Sequence, residues 1–427
     1  MTPPPIEERL AAAGLPPLPR TAWAEIDLGA LADNLAILRE MGGGSTPIHP
    51  VVKGDAYGHG AIPITRALDR AGADGFCVAT MDEALALREA GISKPIVVLY
   101  PIPPALAARA RAEDVAVTAG DPALLAPLIG AVHGVAAERP LSVHLVVESG
   151  LGRGGYRPDE VVAAARAIAA EPALRLAGIW THLQAPEDGP RTAGQMAEFD
   201  LALGMIASEL GEPIRPRHVA ASGGLLVGGV ASFEGTRPGL VLYGLIPDDL
   251  IPRLTSATAQ GGPLRDGAPA IRPILSLHAR PVGVSDLPAG WGISYGPSFI
   301  TNRPSRIATL PLGYGDGWAR ALSNRASALV RGQRVPLVGN VAMDAVMADV
   351  TDVPGEPVGV DDEFVLIGTQ GAQRITVAEV AAARGTNSWE VVTTLAARLP
   401  RVYHAAFVAQ EMRTLVADDE RRRSTRP

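Results

Sequence analysis

A chain of 427 residues can form two domains with a large core. Formal charge is −7, from 38 Lys and Arg against 45 Asp and Glu, which argues against general affinity for nucleic acid or anionic lipid and leaves a small polar metabolite as the natural partner. The single cysteine, Cys77, excludes an intrachain disulfide and a cysteine-rich zinc site, and although 47% of residues are hydrophobic, no run of 18 is free of charge or proline.

The opening MTPPPIEERLAAAGLPPLPR (1–20) has no basic n-region and is broken by prolines and acids. It reads as a flexible extension rather than a signal peptide, and the protein as cytoplasmic. From 21 to 258 short apolar runs alternate with alanine-rich helical stretches. The runs are HPVVK (49–53), GFCVAT (75–80), PIVVLY (95–100), VAVTA (115–119), SVHLVVE (142–148), LAGIWTHL (176–183), RHVAAS (217–222) and GLVLYGL (239–245). Helices are expected at DEALALREAG (82–91), RPDEVVAAARAIAAE (157–171) and QMAEFDLALGMIASEL (195–210). Eight strand–helix alternations predict a parallel (β/α)8 barrel, with a doubly wound open sheet as the alternative. Cys77 falls in an apolar run and reads as a buried, inert thiol.

The pattern changes at LTSATAQGGPLRDGAP (254–269), a Gly- and Pro-containing boundary. Runs at 274–284, 305–313, 327–339 and 363–368 then predict a mostly antiparallel β-domain over 259–414, which the strand near 22–27 is a candidate to join. One helix is expected at TVAEVAAARG (376–385), capped by Thr376 with Glu379 three residues on. The last residues, 415–427, read as a disordered charged tail.

In such a barrel functional groups stand at the C-terminal ends of the strands. The first strand ends in VVKGDAYGHG (51–60), which delivers Lys53 and Tyr57, and Gly54, Gly58 and Gly60 are read as letting backbone approach a ligand. A partly desolvated lysine there can serve as nucleophile or base. Strand five delivers Arg153 in VESGLGRGGY (147–156), strand six Thr181-His182, strand seven Ser222-Gly223-Gly224, and the turn before strand eight Arg237 in GTRPG (235–239). Each has a plainer reading alone: Lys53 as a strand-end lysine reaching water, Arg153 as a loop charge, His182 as a core histidine, Ser222 as a helix cap.

The decapeptide VVKGDAYGHG resembles the signature around the cofactor lysine of alanine racemases, and the resemblance runs from TAWAEIDLGAL (21–31) to ARLPRVY (397–403). It implies pyridoxal 5′-phosphate carried on Lys53, with Tyr57, Ser222 and the amides of Gly239 and Leu240 on its phosphate and His182 beside its ring. It places Arg237 at the pyridine nitrogen, where a guanidinium keeps its own proton and leaves the nitrogen without one, which favours return of a proton to Cα over transamination. A carboxylate there would suit a decarboxylase or transaminase. Racemisation needs an acid–base group on each face of Cα. By the resemblance Lys53 is one and Tyr295, in GWGISYGPSF (290–299), is the other, with His182 and Arg237 expected to lower the tyrosine's pKa. LPLGYGDGW (310–318) and GNVAMDAVMADV (339–350) match as well. They imply supporting roles for Tyr314 and Asp344 and binding of the substrate carboxylate by the Met343 amide and Arg153, which also meets the cofactor's phenolic oxygen. The β-domain residues serve the partner subunit's site, so a head-to-tail homodimer is implied, as is a supply of D-alanine for peptidoglycan. No metal ligand set is expected.

Two positions depart from the family pattern. Val146 replaces a lysine that many members carry as a carbamate, so Arg153 must be oriented by something else: Glu148, an anion or water. Ala397 replaces a tyrosine and leaves space, which points to substrates larger than alanine, such as serine. Gly54, Ala221 and Gln184-Ala185-Pro186 also vary from the commonest form. The alternatives are a broad-specificity or serine racemase, and a pyridoxal phosphate carrier without turnover. The carrier would resemble the barrel alone.

Overall fold

The computed structural model describes residues 4–135, 138–228, 230, 233–251 and 271–415. The boundary expected at 254–269 lies outside them, as does the expected tail beyond Leu415. The chain forms two compact units, one comprising Ala32–Ala56 and Ile64–Ile271, the other Met1–Leu31, Tyr57–Pro63 and Arg272–Pro427.

The first unit is built on parallel strands Phe76–Val78, Ile96–Val98, Val115–Ala119, Leu141–Val146, Leu174–Trp180 and Arg217–His218, adjacent in chain order. Backbone bridges Val51–Cys77, Ile48–Thr236 and Ala221–Arg237 close this sheet into a ring, with 48–51 as the first barrel strand and 236–238 as the last. Hydrogen bonds from Val52 to Cys77 (2.9 Å), His49 to Thr236 (2.8 Å) and Arg237 to Ala220 (2.8 Å) fix the seams. The (β/α)8 reading holds, but its eighth strand is displaced. GLVLYGL (239–245) is not a strand; Leu240–Tyr243 is a fully buried 3-10 turn. A short buried apolar run carries no periodicity that separates strand from turn, and here Tyr243 Oη donates to Val51 O (2.8 Å), locking the turn onto the first strand.

The covering helices follow their sequence signals. Pro158–Ala170 opens on proline and buries Val161, Ala164, Ala165 and Ile168, spaced for one face of a helix. Gly189–Leu210 is capped by Asp188, which accepts from the Arg191 amide (3.1 Å), and ends at Gly211 with φ 77°. Among the described residues no helix is long and apolar enough to cross a membrane.

The second unit holds an eleven-stranded, mostly antiparallel sheet. Ala22–Asp27 lies between Leu275–Ala279, antiparallel to it, and Arg401–Ala405, parallel to it. Thr376 caps the helix Val377–Arg384 through the Glu379 amide (3.1 Å), and a second helix, Ser388–Thr393, follows.

The segment read as a flexible extension is instead helical over Ile6–Ala12. Ile6 and Leu10, four apart, join Trp23, Val402, Ala409 and Met412 in one apolar cluster. Arg9 makes a bidentate pair with buried Glu25 (2.6 and 2.8 Å), which also accepts from Trp23 Nε1 (3.0 Å). Burial opposes ionisation of Glu25, but the charges of His278 and Arg9 and the bonds from Arg9 and Trp23 hold its pKa at about 2. A carboxylate depressed from 4.5 in this way stabilises the fold fully above the unfolded value, and the contribution is lost as pH falls toward 2. Over that window wild type is expected to lose roughly 3 kcal/mol from this group, and Glu25→Gln to be less stable at neutral pH with a flatter acid limb, both read by denaturant titration at stepped pH.

Candidate active site

Lys53 stands where the first barrel strand ends, and the chain then makes a left-handed turn: Gly54, Asp55, Ala56 and Tyr57 have φ of 61°, 55°, 53° and 55°. Three consecutive L residues in that region cost roughly 1–2 kcal/mol each, so something must hold them. Glu83 does part of this. Its carboxylate accepts from the amides of Gly54 (2.6 Å), Ala79 (2.8 Å) and Thr80 (3.3 Å), joining the turn to the end of the second strand. Sequence reasoning missed Glu83, whose one signal was its capping-box position in the helix Met81–Glu89. The Lys53 amine is half-buried, and burial first, then the charge of Arg153, lowers its pKa.

Arg237 is buried within the same unit. Its guanidinium donates to Thr181 O (2.8 Å) and His218 O (2.7 Å), contacts His218 Nδ1 and lies over Trp180, 4.9 Å from the ring centre. Among the described residues no carboxylate pairs with it. Burial brings its pKa to about 10, so it stays protonated at neutral pH. His144, 3.1 Å from His218, is held neutral at about 3 by burial and neighbouring cations, and His218 is lowered well below its ordinary value.

Ser222 and the turn at Gly239 meet directly: Ser222 Oγ accepts from the amides of Gly239 (3.0 Å) and Val241 (3.3 Å). Asn34 Nδ2 donates to Leu242 O (3.1 Å) beneath them. His182 follows the sixth strand, and buried Gln195 ties its carbonyl (3.3 Å) to Ser149 Oγ (3.5 Å). Burial and the charges of Arg237, Arg153 and Lys53 lower His182 to about 3. It is therefore neutral at physiological pH. Arg153 lies on an exposed loop, its guanidinium 6.0 Å from the Tyr100 ring.

Tyr57, Tyr295, Tyr314, Met343 and Asp344 belong to the other unit. Tyr295 sits at the tip of a hairpin formed by Gly292–Ile293 and Phe299–Ile300, anchored where Ile293 packs on Ile307, Val338 and Met347. Asn340 fixes the tip, donating to the carbonyls of Tyr295 (2.8 Å) and Gly296 (3.0 Å) and accepting from Ser294 Oγ (2.6 Å). Tyr314 and Met343 lie on facing loops joined by Tyr314 N to Ala342 O (3.0 Å) and Gly315 N to Met343 O (2.9 Å). Arg398 braces both, bonding buried Asp316 (2.8 Å) and Asp344 (2.6 Å). Tyr295 is 78% exposed, Met343 54% and Tyr314 45%.

Two of the motif glycines serve packing rather than ligand approach. A Cβ on Gly58 would lie 2.1 Å from Val392 O, and one on Gly60 1.9 Å from Tyr403 Oη. Arg401 and Tyr403 bond the carbonyls of Gly58 (2.8 Å) and His59 (2.9 Å), so this loop is welded to the strand Arg401–Ala405.

Residues 26–247 match the family model for the alanine racemase N-terminal domain, and 274–403 that for the C-terminal domain. This chain belongs to the alanine racemase family. It is an enzyme of the isomerase class. The alanine racemase of Halothermothrix orenii is 37% identical over 90% of this chain and 97% of its own length. The crystal structure of alanine racemase from Bacillus anthracis, with bound L-Ala-P, matches at TM-score 0.85 and 33% identity, covering 94% of this chain and all of that one. Histidine racemase from Leuconostoc mesenteroides matches at 0.77 and 26%, covering 91% and 99%. A carrier resembling the barrel alone does not account for a match that continues through residue 403. For an alanine racemase family member the welded loop after Lys53 is a structural requirement: Gly58→Ala, clashing with backbone at φ 79°, is expected to cost roughly 3 kcal/mol, measured by thermal or urea unfolding.

Proposed function

We propose that this chain interconverts L- and D-alanine with pyridoxal 5′-phosphate as cofactor, acting in the cytoplasm as a homodimer and supplying D-alanine for peptidoglycan. The observation that carries the reading is the placement of a half-buried lysine at the end of the first barrel strand, within reach of the charge of Arg153, whose guanidinium has no hydrogen-bonding partner among the described residues. A base and an unengaged cation close together are what an amino acid requires: the cation takes the carboxylate and leaves Cα within reach of the base.

The residues fit the cofactor. Lys53 is a half-buried amine, Ser222 Oγ gathers the amides of Gly239 and Val241 at one point, and Arg237 is a buried cation without a carboxylate partner among the described residues. Pyridoxal phosphate, when bound, supplies an electron-withdrawing ring that makes the Cα proton of an amino acid acidic. Lys53 would carry it, Tyr57, Ser222 and the amides of Gly239 and Leu240 would hold its phosphate, and neutral His182 would lie against its ring. Arg237, fixed by Thr181 and His218, would face the ring nitrogen and keep its own proton.

Arg153 and the Met343 amide would bind the substrate carboxylate, and the arginine would also meet the cofactor's phenolic oxygen. Lys53 Nζ exchanges a proton on one face of Cα. The Tyr295 hydroxyl of a second copy exchanges it on the other, with Tyr314 and Asp344 shaping that lip. The exposed Trp291, Tyr295, Ile300, Tyr314 and Met343 give the unit an apolar surface for that second copy to cover.

In deuterated water the loaded enzyme should exchange the Cα proton of either enantiomer and lose optical rotation. Tyr295→Phe is expected to slow removal of the proton on its face by on the order of 10²–10⁴. Unchanged exchange from both enantiomers would contradict the two-base assignment.

Substrate breadth is the finer question. Ala397 is exposed and adjoins Arg398, the brace of Asp344. The small side chain favours acceptance of serine beside alanine, and the histidine racemase of this fold acts on a still larger substrate. Ala397→Tyr is expected to lower kcat/KM for serine relative to alanine by roughly tenfold, the scale of one or two lost pocket contacts. Equal ratios in the two proteins would remove the idea.

A further inference from the structure

The structure assigns Glu148 as the positioning residue for Arg153: its carboxylate fills a nest of backbone N–H groups in the loop that carries the arginine. The loop leaves the fifth strand and returns to the same point, its neck closed by Glu148 N to Tyr156 O and Tyr156 N to Val146 O, both 2.9 Å. Inside it one carboxylate receives five amides. Oε1 accepts from Gly150 and Leu151, each at 2.6 Å, and Oε2 from Gly152 (3.0 Å), Arg153 (3.1 Å) and Gly154 (3.4 Å). Successive amides converge in this way because Gly150, Gly152, Gly154 and Gly155 all take positive φ, from 74° to 130°.

Nothing else described holds the arginine. Val146, at the strand end, is an apolar side chain packed over Gly120, where a Cβ would lie 2.5 Å from Val146 Cγ1. No acidic side chain bonds the guanidinium among the described residues, and the Tyr100 ring is 6.0 Å away. The main chain of Arg153 is therefore the part that is fixed, and Glu148 is what fixes it. The arrangement orders the arginine while leaving its charge unspent, since the glutamate's own charge is directed into amides. Those amide bonds also overcome the opposing effect of burial and hold the Glu148 pKa below its ordinary value, so the plug stays ionised through the neutral range.

The functional consequence rests on the proposed amino-acid racemisation. In the full-length, cofactor-loaded enzyme, Glu148→Gln should accelerate amide hydrogen exchange at 150–154 and raise KM for alanine about tenfold, the size of one misplaced charge-assisted contact, with kcat changed far less. In an Arg153→Ala background the same substitution should leave KM where Arg153→Ala alone puts it. If Glu148→Gln does not fold, Glu148→Ala assayed with and without formate carries the comparison, formate being expected to restore KM by entering the nest. Additive effects of the two substitutions, equal loss in kcat and kcat/KM, or faster exchange with KM unmoved would each overturn the assignment. A wild type that racemises no amino acid would instead defeat the proposed function, and the exchange measurement would still report on the nest.

Discussion

The site depends on an amine kept partly out of water on a backbone turn that the chain does not adopt unaided. Burial destabilises the ammonium form of Lys53, and a carboxylate placed against the amine would undo the effect. Glu83 instead directs its oxygens into the amides of Gly54, Ala79 and Thr80, so that it holds the turn. Its remaining influence on the lysine, a weak upward pull, is smaller than those of burial and Arg153, which lower it. Glu148 repeats the device in the fifth loop. In both places an acid is used on main chain, and the Lys53 amine and the Arg153 guanidinium are left without a bonded carboxylate among the described residues.

Arg237 extends the same economy of charge. A guanidinium buried beside a carboxylate would be neutralised as a pair; here two carbonyls and neutral imidazole hold it, so its charge is directed at whatever lies next to it. Trp180 supplies the remaining face, and His144 stands behind His218. None of these neighbours carries a charge, which keeps the protonated arginine as the dominant electrostatic feature of this part of the unit.

The barrel was legible from the alternation of apolar runs and capped helices, and the rim residues from their place after each run. What could not be read was long-range. Residues 236–238 are too short and too proline-interrupted to signal a strand, yet they close the ring, while 240–243, the better apolar run, is a turn. Ile6 and Leu10 look like an unremarkable pair until Trp23 and Met412 are brought beside them. The prolines around them, read as markers of flexibility, flank a docked helix. Glycines 58 and 60 were assigned to a ligand because glycine permits close approach. The approaching groups are Val392 and Tyr403, far along the chain. Glu83, Gln195 and Asn340 escaped notice because each acts on backbone groups distant in sequence or on another element.

Of the two acid–base groups proposed, Lys53 stands on a turn completed within a single chain. The other, Tyr295, is presented on a pinned but exposed hairpin, and the proposed mechanism needs a second copy to bring it to the lysine. The most direct test is to unfold and refold together, at equal amounts, Lys53→Ala and Tyr295→Phe proteins, each nearly inactive alone. Random pairing should return about a quarter of wild-type racemisation, since half the dimers then contain one site with both groups intact. Activity no greater than the sum of the two variants, with mixed dimers shown to form, would mean that lysine and tyrosine act within the same chain.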